Sequence, residues 1–147
     1  SIQGAIPPSP IVSCLGAASD VAKILTYDLK QPNSILILIG ETKDECGGSV
    51  YYQLHNHLGS QLPKPNLEHF ADEIAAVYQA IQAGLLLAVH DISEGGIAVA
   101  LAEMSFKNKI GVKVNIPGEL PRDRKLFSES GGFILEVSPQ KIAELEQ

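Results

Sequence analysis

The eleven residues from His90 to Ala100 constrain the fold of this chain more than any other part of its sequence. They follow an apolar run at residues 85–89, which predicts a buried strand, and lead into residues 97–104, which are rich in helix formers. A strand, a glycine-bearing turn and a helix together predict a helix N-terminus with free backbone N–H groups at one end of a sheet. A ligand site is therefore to be sought at this end.

The turn itself contains residue types that suit both a ligand and a tight connection. Ser93 is expected to cap the helix, because its hydroxyl can accept from a backbone N–H two or three residues later. Gly95 and Gly96 lack side chains where a ligand, or another stretch of backbone, approaches closely. Both interpretations stay open on spacing alone, because two adjacent glycines are weaker evidence than a complete phosphate-binding motif.

A second glycine-bearing turn follows the strongest predicted strand, an unbroken apolar run at residues 34–40. Gly47, Gly48 and Ser49 come after a charged loop and precede a predicted helix over residues 50–58. If the two strands are neighbours in a largely parallel part of the sheet, both helix N-termini converge and could hold a phosphate or ribose phosphate. The alternative is that the glycines only permit tight turns.

Asp91 stands at the C-terminal end of a predicted strand, where ligand sites of open α/β sheets lie. Its carboxylate could accept from a ribose hydroxyl or hold Mg²⁺ through water, or it could accept backbone N–H groups across the turn. For His90 we favour a half-buried imidazole bonded to a neighbouring carbonyl over a phosphate donor. His55 and His57 are two residues apart, so they cannot share a metal from one helix face.

Composition excludes several classes of function. The net charge of -6 argues against nucleic-acid binding, and no apolar run is long enough for a membrane span. We expect a cytoplasmic protein in which Cys14 and Cys46 are free thiols. No nucleophile with its base and no metal-ligand cluster is evident, so we assign no catalytic residue and leave any metal ligands open.

The chain of 147 residues, with 45% hydrophobic content, predicts a single domain over residues 1–147. Because it does not begin with Met, it fits a fragment of a longer polypeptide. The order of elements predicts an α/β (α+β) fold, a two-layer sandwich of a mixed β-sheet with helices packed on it. The remaining predicted strands cover residues 11–16, 111–116 and 133–137, the remaining helices residues 67–83 (capped by Asn66) and the segment after Ser138, and loops residues 27–33 and 117–125.

Four motifs, at residues 6–12, 44–49, 90–103 and 126–130, add a resemblance that covers nearly the whole chain. In chain order, these four stretches resemble Pro-Pro-Thr-Pro-Val-Val, then Glu-Leu-Gly-Gly-Ser, then His-Asp-x-Ser-Asp-Gly-Gly followed by Ala-Val-Ala-Leu-Ala-Glu, and finally Leu-Phe-Ser-Glu-Ser. These belong to phosphoribosylformylglycinamidine (FGAM) synthase, in the C-terminal domain of its synthetase subunit, which is of the aminoimidazole ribonucleotide (AIR) synthase type. Glu94 stands where that family usually has Asp, and Cys46 where Leu is common.

The resemblance implies an AIR synthase C-terminal-domain-like fold packed against a separate N-terminal β-domain. It implies the reaction of the full-length enzyme in purine biosynthesis, a ligase that converts formylglycinamide ribonucleotide, ATP and glutamine-derived ammonia to the amidine, ADP and phosphate. ATP and Mg²⁺ would be bound mostly by the N-terminal domains, and a glutamine amidotransferase subunit and a small bridging subunit would be partners. The residues expected to contact the ribonucleotide or its phosphate are Gly47, Gly48, Ser49, Asp91, Ser93, Gly95 and Gly96.

Two alternatives remain. The chain could come from another member of the superfamily, such as AIR synthase, thiamine monophosphate kinase, selenophosphate synthetase or a hydrogenase maturation factor. It could also be a non-catalytic structural half that completes an auxiliary nucleotide site, because the family's enzyme resembles a tandem duplication. In each case we expect the isolated fragment to be inactive.

Overall fold

The computed structural model describes residues 11–146, so residues 6–10 of the first motif lie outside the described part. The elements run along the chain in the order β1, α1, α2, β2, α3, α4, β3, α5, with short 3-10 turns at Val21–Lys23 and Pro139–Lys141. Their bounds are β1 Ile35–Ile39, α1 Val50–Leu54, α2 Phe70–Gln82, β2 Leu86–Asp91, α3 Gly96–Phe106, α4 Arg122–Phe127, β3 Phe133–Val137 and α5 Ile142–Leu145.

Within residues 11–146 the sheet has three strands in the order β1-β3-β2, and β3 pairs antiparallel with both neighbours. Ile39 and Asp91, the last residues of β1 and β2, both lie opposite Phe133. The outer strands therefore run in the same direction and end at the same edge of the sheet. The predicted α+β arrangement is confirmed, but the sheet is antiparallel rather than mixed, because β3 separates the two parallel strands.

Alternate residues of a strand point to opposite sides of the sheet, and helices cover both of these faces. Ala100, Leu101 and Met104 of α3 form one buried cluster with Ala88 and Ile134. A second cluster forms on the other face and joins α2 to the sheet through Val77, Ala80, Leu86, Leu135 and Val137. The predicted sandwich thus holds for α3 and the sheet, and α2 adds a further layer.

Two predicted strands do not form. Residues 11–16 run as an irregular exposed segment, with Ile11 94% and Leu15 99% accessible. Residues 111–116 are also irregular: Ile116 and the preceding Ile110 pack against the core, whereas Val112 and Val114 are exposed. An alternating pattern predicts a strand with one buried side, but most apolar side chains of these two segments are exposed, so burial does not hold them in a sheet.

Helix bounds also differ from the prediction. The segment expected to be a loop over residues 117–125 contains the first part of α4, which begins after Pro121 and continues to Phe127. Helix α1 ends at Leu54 and not at residue 58, because Asn56 adopts a left-handed conformation with φ 53°. Helix α2 begins at Phe70, and the main-chain carbonyl of Asn66, rather than its side chain, accepts from Phe70 N at 2.9 Å.

Other predictions hold. The residue range 27–33 is a loop, and the last segment forms the turn at Pro139–Lys141 followed by α5. Cys14 and Cys46 are both free thiols, the first exposed and the second buried. No helix in the described part of the chain combines the length and apolar character needed to cross a membrane.

Candidate functional site

The two glycine-bearing turns lie together at the edge where β1 and β2 end. We call them the Gly47 turn (residues 47–49) and the Gly95 turn (residues 93–96). One carboxylate oxygen of Glu129, Oε1, accepts from Val50 N at 3.0 Å and from Gly95 N at 2.8 Å. Val50 begins α1 and Gly95 precedes the first residue of α3. The predicted convergence is confirmed, although the two strands are not neighbours.

The negative charge between the two turns belongs to a side chain of this protein, the carboxylate of Glu129. A carboxylate is favoured beside the N-terminus of a helix, where backbone N–H groups and the helix dipole are electropositive. Glu129 is half-buried, and its contacts use the N–H groups of Val50 and Gly95. While these contacts hold, those two N–H groups are not available to a phosphate. The point of convergence is therefore held by an internal anion.

The Gly47 turn is mostly internal. Ser49 is fully buried, and its Oγ accepts from Tyr52 N at 3.2 Å and donates to the Cys46 carbonyl at 2.7 Å. A Cβ at Gly47 would lie 2.6 Å from the carbonyl oxygen of Gln61, so only glycine permits this close approach. Gly48 is half-buried with φ 72° and is the least buried member of this turn, and its N–H donates to the Leu58 carbonyl at 2.7 Å.

The Gly95 turn divides into an inner and an outer half. Gly95 and Gly96 are buried with φ 81° and 65°, and a Cβ at Gly96 would lie 2.7 Å from the carbonyl oxygen of Ser128. Ser93 is exposed, and its carbonyl rather than its hydroxyl accepts from Gly96 N at 3.1 Å. The predicted Ser93 cap is wrong, because Gly95, in the left-handed region, takes the cap position.

Asp91 and His90 lie at the end of β2 with contrasting environments. The Asp91 side chain is 67% exposed, whereas that of His90 is 10% exposed. His90 Nδ1 lies 2.6 Å from the Asp91 carbonyl oxygen, and Nε2 lies 2.8 Å from Glu103 Oε2. The preferred interpretation of a half-buried histidine beside a neighbouring carbonyl is confirmed, and Glu103 of α3 is an additional partner.

The segment that precedes β3 ties these elements together. Ser128 is buried, and its Oγ accepts from Glu45 N at 3.0 Å and donates to the Lys43 carbonyl. Ser130 Oγ accepts from Lys43 N at 3.2 Å. In the sequence, the run Ser128-Glu129-Ser130 is the only signal that this segment connects neighbouring elements. Polar residues directly before a buried strand indicate a site edge or a cap for neighbouring backbone. Glu129 was not assigned from sequence, yet it makes the central contact.

A pocket of about 210 Å³ opens beside Glu129 on the β1 side. Its wall combines Lys43, Asn66, the ring of Phe70 and the backbone of Gly132 with further carboxylates. Within residues 11–146, no group of three or more His, Cys, Asp or Glu side chains is arranged to hold a metal ion. His55 and His57 are exposed, and their rings pack against Tyr51 and Tyr52.

Comparison with known proteins identifies the family. Residues 31–146 match the family model described as AIR synthase related protein, C-terminal domain. The chain belongs to this family. It is 39% identical over 145 residues to phosphoribosylformylglycinamidine synthase subunit PurL of Thermoanaerobacter sp. (strain X514), covering 97% of this chain and 20% of that protein. The PurL subunit of Methanothrix thermoacetophila is 38% identical over 141 residues, covering 94% of this chain and 18% of the relative.

The chain therefore spans about a fifth of the length of the curated relatives that it matches. Among solved structures, it is similar to Thermotoga maritima PurL complexed with FGAR, with a TM-score of 0.67 and 17% identity over 85% of this chain and 23% of that one. The Thermotoga maritima PurLQS structure gives a TM-score of 0.62 and 19% identity, over 85% and 21%. These similarities confirm the predicted AIR synthase C-terminal-domain-like fold.

Proposed function

We propose that this chain is a domain of the synthetase subunit of FGAM synthase, a single domain over residues 1–147 within a longer polypeptide. The observation that carries the proposal is the 39% identity to a PurL subunit over 97% of the chain. The full-length protein would convert formylglycinamide ribonucleotide, ATP and ammonia from glutamine to formylglycinamidine ribonucleotide, ADP and phosphate.

Within that enzyme, the edge that carries both glycine turns would face the ribonucleotide. Asp91, Ser93 and Gly48 are accessible there, so they would make the direct contacts, with the Asp91 carboxylate accepting from a ribose hydroxyl. The buried residues Gly47, Ser49, Gly95 and Gly96 would act through the backbone shape that they give to the turns. This division refines which of the candidate residues touch the ligand and which support those that do.

ATP and Mg²⁺ would bind mainly to other parts of the full-length protein. Glu129, Asp91 and Glu94 put negative charge at or next to the two turns, which is unfavourable for a triphosphate. The described residues also lack a cluster of metal-binding side chains, so they do not fit a complete Mg²⁺ site. The partners we propose are the N-terminal domains of the same enzyme, a glutamine amidotransferase subunit and a small bridging subunit, in the cytoplasm.

A second candidate is a non-catalytic half that completes an auxiliary nucleotide site. The position of Glu129 favours the structural part of this candidate, because an internal carboxylate already satisfies the N–H groups at the point where the turns converge. Replacement of Asp91 by Asn in the full-length enzyme separates the two candidates. A rise in KM for the ribonucleotide supports contact with substrate, and unchanged kinetic constants support the auxiliary role.

The proposed reaction is tested by assaying the full-length protein and the isolated 147-residue chain side by side. With formylglycinamide ribonucleotide, ATP, Mg²⁺ and ammonia, we expect phosphate release from the full-length protein and none from the fragment. If the full-length protein is inactive here but releases ADP with formylglycinamidine ribonucleotide or thiamine monophosphate, another activity of the superfamily is correct. Turnover by the fragment would contradict the assignment of ATP binding to the remaining domains.

A further inference from the structure

Glu129 joins two parts of the chain that are remote in sequence. It lies 79 residues from Val50 and 34 residues from Gly95, and the same oxygen accepts from both backbone N–H groups. Because both contacts end on one atom, the two nitrogens lie within two hydrogen-bond lengths of each other. One side chain therefore bridges the Gly47 turn and the Gly95 turn directly.

The backbone that carries Glu129 is fixed on either side of this residue. Ser128 is buried and hydrogen-bonded to Glu45 N and the Lys43 carbonyl, and its own carbonyl packs against Gly96. Ser130 accepts from Lys43 N at 3.2 Å. A side chain on such an anchored segment has little conformational freedom left to lose. It can therefore hold the N–H groups that it binds at a defined distance from each other.

We propose that Glu129 is a positioning residue, which fixes the two glycine turns relative to each other and so sets the spacing of Gly48, Ser93 and Asp91. This inference rests on the proposed function, since it assigns a role in binding the ribonucleotide at that edge. In this role Glu129 acts through the two turns that it bridges and not through contact with the reacting atoms. Its effect is carried by the length of its side chain and by the acceptor oxygen at the end.

Length and charge can be separated by two substitutions. Gln has the same reach as Glu, and its amide oxygen can accept from both N–H groups without a negative charge. Asp keeps the charge but is one methylene shorter, so its carboxylate cannot reach both donors from the anchored backbone. A positioning role therefore predicts that Glu129→Gln is tolerated better than Glu129→Asp. A charge role, such as binding a cation or accepting a proton, predicts the opposite order.

The experiment measures KM for formylglycinamide ribonucleotide, kcat and melting temperature in the full-length protein, for Glu129→Gln, Glu129→Asp and Glu129→Ala. We expect KM to rise about tenfold for Asp and Ala and no more than about threefold for Gln, with kcat within about twofold, since lost orientation weakens binding. Glu119, an exposed residue outside the site, provides the control Glu119→Gln, which should leave all constants unchanged.

Hydrogen exchange at the amides of Val50 and Gly95 supplies a readout that is independent of activity. Both amides should lose protection together in Glu129→Asp and keep it in Glu129→Gln. The proposal is overturned if Asp retains a lower KM than Gln, or if the variants only melt earlier with an unchanged KM. If Glu129→Ala does not fold, the Gln and Asp variants still decide. An inactive wild-type protein would instead contradict the proposed function, and the exchange pattern would still test the contact.

Discussion

Glu136 and Glu129 are two carboxylates that accept from remote backbone N–H groups, yet they lie in opposite environments. Glu136, on the central strand β3, is fully buried and accepts from Lys30 N at 2.8 Å, Gln31 N at 3.2 Å and Ser34 Oγ at 2.7 Å. Glu129 is half-buried at the edge of the sheet and accepts from the ends of two turns. The same chemistry therefore holds a loop to the core in one place and shapes an accessible edge in the other.

The difference follows from what surrounds each carboxylate. A charge in the interior is tolerated only when hydrogen bonds replace water around it, and the donors then depend on the carboxylate as much as it depends on them. At the edge of the sheet, water can partly replace Glu129. We therefore expect loss of Glu136 to lower the free energy of unfolding and loss of Glu129 to weaken ligand binding.

The largest effect should come from Glu136→Ala. The substitution removes the fully buried carboxylate that accepts from the N–H groups of Lys30 and Gln31 and from the Ser34 hydroxyl, and we expect a loss of about 3 kcal/mol in unfolding free energy. Urea denaturation of the wild type and the variant measures this, with Glu119→Ala as a surface control. A loss as small as that of the control would mean that the loop is held by other contacts, and the contrast with Glu129 would disappear.

Gly96→Ala should perturb the edge without altering any carboxylate. A Cβ there would lie 2.7 Å from the Ser128 carbonyl oxygen and would also face a φ of 65°, which together should cost about 2–3 kcal/mol. Gly111→Ala is the matched control, because its Cβ would meet nothing within 4 Å and its φ is not positive. Equal melting temperatures for the two variants would show that the segment before β3 moves easily away from α3.

Asp91→Asn should raise KM for the ribonucleotide about fivefold in the full-length protein and leave the melting temperature unchanged. The reason is exposure: a side chain that is 67% accessible contributes little to the core but can contact a ligand. Steady-state kinetics and thermal melting give the two readouts. A variant that melts several degrees lower with unchanged kinetics would make Asp91 a residue that stabilises the turn.

Asp28 extends the comparison to a buried carboxylate with ionic partners. Hydrogen bonds from the side chains of Lys30, Thr26 and Lys107 hold the pKa of Asp28 well below its usual value. A lowered pKa in the folded state stabilises the protein above the ordinary Asp pKa, and that stability is lost as the pH falls. The stability difference between wild type and Asp28→Asn should therefore shrink below about pH 4. A difference that stays constant down to pH 2 would contradict the ionic origin.

Local patterns in the sequence were sufficient to predict β1, β2, β3, α2 and α3, because continuous apolar runs and helical spacing report burial directly. They failed at residues 111–116, where alternation was present but no partner strand was. They also failed at Glu129, whose importance comes from contacts 79 and 34 residues away. A link of this kind leaves no periodicity, so the sequence points to it only through the polar Ser-Glu-Ser run before β3, which is also part of a family motif.

The central position of β3 also bears on how the sheet is assembled during synthesis. β3 is the last of the three strands along the chain, and both β1 and β2 pair only with it in the described part of the structure. The two earlier strands must therefore leave the ribosome without their hydrogen-bonding partner. Closing such long loops is slow relative to local helix formation. We infer that α2 and α3 form first and that residues 133–137 complete the sheet in a late step.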